Sequence, residues 1–351
     1  MKYVDILQKI SQNNYFTSSD IEIILQEELT NKSRCKAFNI TAENGYKKIE
    51  NRAYLWKNTY QLVNKYYQNL GLNSLDILSL LWIFLLPLAI KISEEKSNQK
   101  KPLIQGILGV QGTGKTTITK ILCLLLKQLG YTTISLSIDD FYKTYSSRQK
   151  LREIDPRFIW RGPPGTHDVE LGIKVLNQLK DPNYWQPISI PRFDKSLWNG
   201  QGDRIAAETI NKADIVLFEG WFVGVRPIDE IQFNNPPEPI KTEEDKQFAK
   251  YINQKLTIYL PLWELLDRLM ILYPIDYRFS KKWRKEAEQK MISSGKPGMN
   301  EQQIEDFVNY FWKALHPELF ITPLAQNPNL VDLVITIDAN HRPQQINAYL
   351  N

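Results

Sequence analysis

The run GVQGTGKTT, from Gly109 to Thr117, matches G-x-x-x-x-G-K-[ST] without a break. Residue types in that order suit a turn that wraps phosphate oxygens. Gly109, Gly112 and Gly114, with Gln111 and Thr113 between them, would turn backbone N–H groups inward, and a following helix would add its partial positive charge. Lys115 would reach the β- and γ-phosphates, the Thr116 hydroxyl would ligate Mg²⁺, and Thr117 would join the nucleotide-binding set. Two other segments carry carboxylates at the ends of apolar runs. SIDDFY carries Asp139 and Asp140, and one of these could accept a proton from a hydroxyl attacking the γ-phosphate. Both could instead be solvated turn residues or helix caps. The apolar run IVLF leads into Glu219, the pattern of an acid that holds Mg²⁺ directly or through water.

Three polar segments complete the candidate set: RGPPGTHD (161–168), PRFDKS (191–196) and the basic stretch 276–294. Asp168 would cap a helix. Taken singly, the others read as surface turns and a solvated helix face.

These residues need a scaffold that brings distant segments to one edge. From Pro102 onward, LIQGILG, TTISLSI, DIVLFEG, LTIYL and LVITI are short apolar runs separated by longer helix-like stretches. The pattern predicts an α/β fold with a mainly parallel, helix-flanked sheet. A polar insertion follows 234 and reaches Asp245. The tail SSGKPGMN after the basic stretch breaks its helix. Residues 1–95 predict helices throughout, with Ser18, Ser19 and Asp20 offering a cap before IEIILQEEL. The aromatic stretch 54–67 is expected to pack on the run ILSLLWIFLLPLAI (77–90). That run is shorter than a membrane span, contains Pro87 and is flanked by Asp76 and Lys91, so a buried helix is expected. SEEKSNQKK (93–101) reads as a linker or exposed loop.

The 351 residues carry 44 Lys plus Arg against 39 Asp plus Glu, a net charge of +5. That is too mild to imply nucleic acid, but it would help to hold an anionic substrate. The 42% hydrophobic content excludes a wholly disordered chain. Cys35 and Cys123 cannot make a disulfide framework, and Cys123 is expected to be a buried thiol. The start MKYVDILQKI has no unbroken apolar core and no transit-peptide character, so a cytoplasmic protein is expected.

The series GVQGTGKTT, SIDDFYKT, RGPPGTHD, PRFDKS, LFEGWFVG and WRKEAEQKM resembles D-glycerate 3-kinases of the plant and cyanobacterial type. These belong to a wider group with phosphoribulokinases, uridine kinases and pantothenate kinases. The resemblance runs from about Pro102 to the C-terminus, and more loosely through WIFLLPLAI. It implies a P-loop NTPase fold, 1–95 as a helical region packed on the core, and a kinase part over 102–351 with a lid around 276–294. It also implies ATP and Mg²⁺, D-glycerate as acceptor, Asp139 as base, Glu219 at the metal and Arg284 over the transferring phosphate. The loop around Asn340 would pack on adenine.

Asp140 and Tyr142 adjoin the base, and their roles stay open on the acceptor side. For a small hydroxy acid, the carboxylate calls for a cation. Arg161, Arg192 and Lys195 are the candidates, with Thr166 and His167 beside them on the same loops. Rival readings are a kinase of uridine, pantothenate or ribulose 5-phosphate, and a nucleotide-hydrolysing switch that binds a protein partner. No N-K-x-D segment for guanine is present. No membrane association and no obligatory protein partner are expected.

Overall fold

Among the described residues, eight strands form: β1 (Leu103–Gly109), β2 (Thr133–Ser137), β3 (Ile188–Asp194), β4 (Asp203–Ile210), β5 (Ile215–Gly220), β6 (Arg268–Pro274), β7 (Leu333–Ile337) and β8 (Pro343–Ala348). This computed structural model describes residues 2–13, 15–69, 74–293, 295 and 298–349. Six strands make one sheet in the order β2-β5-β1-β6-β7-β8. Pairing is parallel as far as β7 and antiparallel at β8. All residues of β1 and β5 are buried, as expected for central strands covered on both faces. β3 and β4 form a separate antiparallel hairpin.

One expected strand is a helix. LTIYL lies in a helical turn, Leu256–Tyr259, that leads into Leu260–Trp263. Leu256, Tyr259, Leu262 and Trp263 are buried at helical spacing, and Pro261 suits a first helical turn but not a central strand. The strand beside β1 is instead RLMILYP, which is β6.

The segment expected to be a linker also folds differently. The helix containing ILSLLWIFLLPLAI continues to Ser97, so Asp76–Ser97 spans 22 residues and is long and apolar enough to cross a membrane. In this fold Ile77, Leu81, Phe84, Leu85, Leu86 and Ala89 are wholly buried by protein. A π-turn at Leu81–Leu85 precedes Pro87, which has no N–H to donate. At the end of the helix, Glu94 pairs with Lys48 at 2.5 Å and Glu95 with Arg268 at 2.8 Å. The first pair joins two N-terminal helices to each other, and the second ties them to β6.

The N-terminal helices Gly45–Gln68 and Leu86–Ser97 pack on helix Lys115–Gln128, and Lys32–Ala37 packs against the edge strand β8. Trp56 meets Trp82 edge-on at 5.6 Å, which seats the aromatic stretch on the apolar run. The cap of helix Ser18–Leu29 is Thr17, and Asp20 closes a capping box with it. Helix Phe279–Ser293 ends where the breaking tail begins; positions 294, 296 and 297 of that tail, including the expected end of the lid, lie outside the described residues. Cys123 is only half-buried; burial pushes its thiol up to about 11, and the thiol of Cys35 is raised as well.

The N-terminal core contains a buried ion cluster. Glu28 accepts from Arg34 at 2.6 Å and from Arg52 at 2.9 Å, and Glu28 and Arg52 are almost fully enclosed. Burial alone would raise the Glu28 carboxyl, but the two guanidinium groups outweigh it and hold it below the usual range. Glu28→Gln would leave Arg52 enclosed without its counter-charge. It is expected to lower stability by about 3–5 kcal/mol, read as a shift in urea midpoint. An unchanged midpoint would refute the cluster's role.

Two histidines give a pH dependence. Burial drives His167 down to about 3 and His316 to about 4. The unfolded chain protonates both near pH 6.5 while the native state does not, so their stability is intact above 6.5 and lost as pH falls. Together they should cost roughly 4 kcal/mol between pH 7.5 and 5. Equilibrium unfolding at the two pH values tests this.

Candidate active site

β1 ends at Gly109, and helix Lys115–Gln128 begins after a five-residue loop. Gly114 caps that helix at φ 83° with no side-chain hydrogen bond, so the first-turn N–H groups, including that of Thr117, remain for an anion. The loop is held by Thr113, whose N–H and hydroxyl both donate to Val110 O. Gln111 lies along the loop, in a cleft with Trp221 and Trp312. Gly112 has φ +85°, and a Cβ there would stand 2.6 Å from Trp283 Cβ.

Lys115 Nζ curls back to donate to Val110 O at 3.1 Å. Burial lowers its pKa, opposed by Glu219 and Asp139. Thr116 Oγ1 donates to Glu219 Oε1 at 3.0 Å. Glu219 is 5% exposed at the end of β5, and burial raises its carboxyl against the pull of Lys115. Among the described residues, no group of three or more His, Cys, Asp or Glu could hold a metal. The pair Thr116 and Glu219 nevertheless fits Mg²⁺, which keeps waters and takes much of its coordination from phosphates.

The two acids after β2 separate in a 3₁₀ turn, Ile138–Phe141. Asp140 accepts from Ser137 N at 3.0 Å and pairs with Arg192 at 3.1 Å. Arg192 also pairs with Glu208 at 2.6 Å, so the guanidinium ties β2 to the hairpin. Asp139 instead pairs with Lys195 Nζ at 2.5 Å and accepts from the Tyr142 hydroxyl. Burial would raise the Asp139 carboxyl, but Lys195 and Tyr142 prevail and hold it low.

Tyr142 stacks on His167 at 4.5 Å and meets Phe193 edge-on at 5.0 Å. His167 Nδ1 lies 2.9 Å from the Tyr259 hydroxyl, and its buried Nε2 has no partner. Thr166 is buried; its hydroxyl accepts from Gly162 N and donates to Pro163 O, which closes the turn. Arg161 donates to Gly200 O at 2.5 Å, and its charge bears on Lys195, Tyr142 and Arg284. Asp168 caps helix Val169–Lys180, as its position predicts, and pairs with Arg204.

Trp283, at the start of the basic helix, donates from its indole to Ala339 O at 3.0 Å and stacks on His341 at 4.7 Å. Arg284 pairs with Glu288 and lies over the Phe307 ring at 4.6 Å, facing helix Glu301–Ala314. Asn340 is exposed, and its N–H donates to Asp338. Sequence reasoning missed Tyr259, Trp283 and Arg148. Arg148 donates to the carbonyls of Lys143, Gln201 and Gly202 and clamps the hairpin turn. Trp283 stood inside a quoted motif, whereas Tyr259 was hidden by the strand assignment of LTIYL.

No protein-family model matches the chain. It is 30% identical over 255 residues to "D-glycerate 3-kinase, chloroplastic" of Arabidopsis thaliana, covering 69% of this chain and 54% of that protein. This chain therefore spans about half the length of the Arabidopsis relative. A solved structure, the D-glycerate 3-kinase of Cryptococcus neoformans, superposes with TM-score 0.62 at 25% identity, covering 75% of this chain and 98% of that one. The Saccharomyces cerevisiae protein "Probable ATP-dependent kinase TDA10" is 31% identical over 267 residues, 70% of this chain and 88% of its own length. With a phosphate loop at the head of a parallel sheet and kinship of this extent, the chain belongs to the family of ATP-dependent P-loop kinases related to D-glycerate 3-kinase and uridine kinase.

Proposed function

We propose that this kinase transfers the γ-phosphoryl group of Mg·ATP to the 3-hydroxyl of D-glycerate, giving 3-phospho-D-glycerate. The observation that carries the reading is the contact of Asp139 with Lys195, with Lys115 and Glu219 acting on the same carboxylate. A base beside an ammonium group matches an acceptor that carries a hydroxyl and a carboxylate. Two proteins named as D-glycerate 3-kinases, one similar in sequence and one in structure, support that choice.

In this reading Asp139 orients the hydroxyl and takes its proton as the oxygen bonds to phosphorus. The bond to the β,γ-bridging oxygen breaks, and its electron pair leaves with ADP. Lys115 and the N–H groups of the loop stabilise charge on the transferring group. Mg²⁺, held by Thr116 and Glu219, would add charge neutralisation. Residues 102–351 are the kinase part, with the stretch around 276–294 as its lid. Arg284 reaches the phosphate only after leaving Glu288. His167 is neutral and Arg192 is engaged, which leaves Lys195 and Arg161 to meet the acceptor carboxylate.

Incubation with Mg·ATP and an acceptor panel of D-glycerate, uridine, pantothenate and ribulose 5-phosphate should give 3-phosphoglycerate with D-glycerate alone. Equal ATP consumption without acceptor would refute the kinase reading. Asp139→Asn should cut turnover by about 10²–10⁴-fold while ATP still binds, and Lys115→Ala should abolish transfer. Near-normal turnover in Asp139→Asn would remove it as the base. Gly112→Ala combines backbone strain of about 1–3 kcal/mol with a clash at Trp283, and should raise KM for ATP at least tenfold.

A further inference from the structure

We propose that Lys195 is a latch on Asp139: its ammonium group holds the carboxylate until the carboxylate of an anionic acceptor draws it away. Asp139 then takes a proton only when such an acceptor is bound. The proposal rests on the reading that this site phosphorylates a small hydroxy acid.

The geometry supports an exchangeable contact. Lys195 Nζ lies 2.5 Å from Asp139 Oδ2, yet the lysine side chain is 60% exposed against 24% for the aspartate. The lysine is thus the outer member of the pair, and an anion approaching Asp139 meets it first. The exposed lysine end can therefore exchange Asp139 for an incoming anion while the enclosed aspartate stays in place. The turn that carries Lys195 is itself fixed. Asp194 accepts from the N–H and hydroxyl of Ser196 at 2.8 and 2.6 Å, so Asp194 already has partners in its own turn. The four-carbon stem of Lys195 can swing while its backbone stays in place.

The surrounding charges favour the exchange. Arg161 repels Lys195, and an anion placed between two cations is attracted by both. Arg192, the nearby cation on the same hairpin, is occupied by Asp140 and Glu208 and cannot replace Lys195. While the latch is closed, the ammonium covers Oδ2 and the Tyr142 hydroxyl donates to the same carboxylate, so water finds a poor base. An anionic acceptor removes one of these restraints and brings its own hydroxyl to the freed oxygen. Asp139 then accepts the hydroxyl proton as the phosphorus–oxygen bond to ADP breaks. The arrangement couples ATP cleavage to acceptor occupancy through one side chain.

The test compares wild type, Lys195→Gln and Lys195→Arg in Mg·ATP, with no acceptor, with D-glycerate, and with glycerol as the neutral analogue. Lys195→Gln should raise acceptor-free ADP release about tenfold. It should also raise KM for D-glycerate about tenfold to a hundredfold and erase most of the preference over glycerol. Lys195→Arg should restore both properties in part, which a merely structural lysine would not require. Acceptor-free release in Lys195→Gln no higher than in wild type overturns the latch, whatever happens to KM. If wild type phosphorylates none of these acceptors, the proposed function fails, while the acceptor-free comparison still decides whether Lys195 restrains Asp139.

Discussion

A carboxylate buried at the end of a central strand is costly unless opposite charge and hydrogen bonds meet it there. Glu219 is such a group, and the active edge is arranged around its compensation. Register places Ile107 and Ser137 directly beside Glu219 on the two flanking strands. The chain leaving β1 therefore delivers Thr116 and Lys115 to one side of Glu219. The turn leaving β2 delivers Asp139 to the other. Asp139 brings a second negative charge into the same space, which Lys195 offsets from the hairpin. Two acids and two lysines from four segments form one alternating set, and the enclosed Glu219, Asp139 and Lys115 rely on it for compensation.

The layer behind that set is aromatic. Tyr142 stands between His167 and Phe193, and Tyr259 holds the 161–168 loop through Gly165 N and His167. Its consequence is chemical as well as mechanical. Enclosing His167 keeps the imidazole neutral, which removes a cation from the acceptor side and leaves a ring that orients Tyr142. The Tyr142 hydroxyl in turn fixes Asp139. Loop packing thus reaches Asp139 through one stacked pair and one hydrogen bond.

The phosphate loop, the strands on either side of it and the Asp168 cap were legible because each is encoded within a dozen neighbouring residues. The choice between LTIYL and RLMILYP was not, since short apolar runs carry no decisive period. Pro261, just beyond LTIYL, was the available cue. The exposed strand β4 lacks a buried alternating face, so it gave no signal of the hairpin that positions Lys195 and Arg192. The division of labour between Asp139 and Asp140 depends on the 3₁₀ turn capped by Ser137, in which Asp140 closes the capping box while its neighbour turns to Lys195. Trp283 meets Gly112 across a long chain separation, and local sequence cannot report such a contact. The Arg284–Glu288 pair, by contrast, stands at i,i+4 on a helix and could have been read from spacing.

Under the proposed function, the helix that carries Trp283 and Arg284 would serve as a lid, and these two residues would constrain how it works. Consecutive helix positions point about 100° apart, and Trp283 and Arg284 use that angle to hold different parts of the molecule. Trp283 joins helix Phe279–Ser293 to the phosphate loop and to the turn after β7. Arg284 is turned toward Glu288 and Phe307. Glu288 is itself buried, and its other oxygen accepts from Met299 N. Releasing the arginine would therefore leave an enclosed carboxylate with less compensation, a cost that a nucleotide phosphate would have to offset for Arg284 to act as proposed. Under the proposed function, Arg284 would be held in competition between a protein carboxylate and a substrate phosphate. The indole beside it would keep this helix on the phosphate loop during that competition.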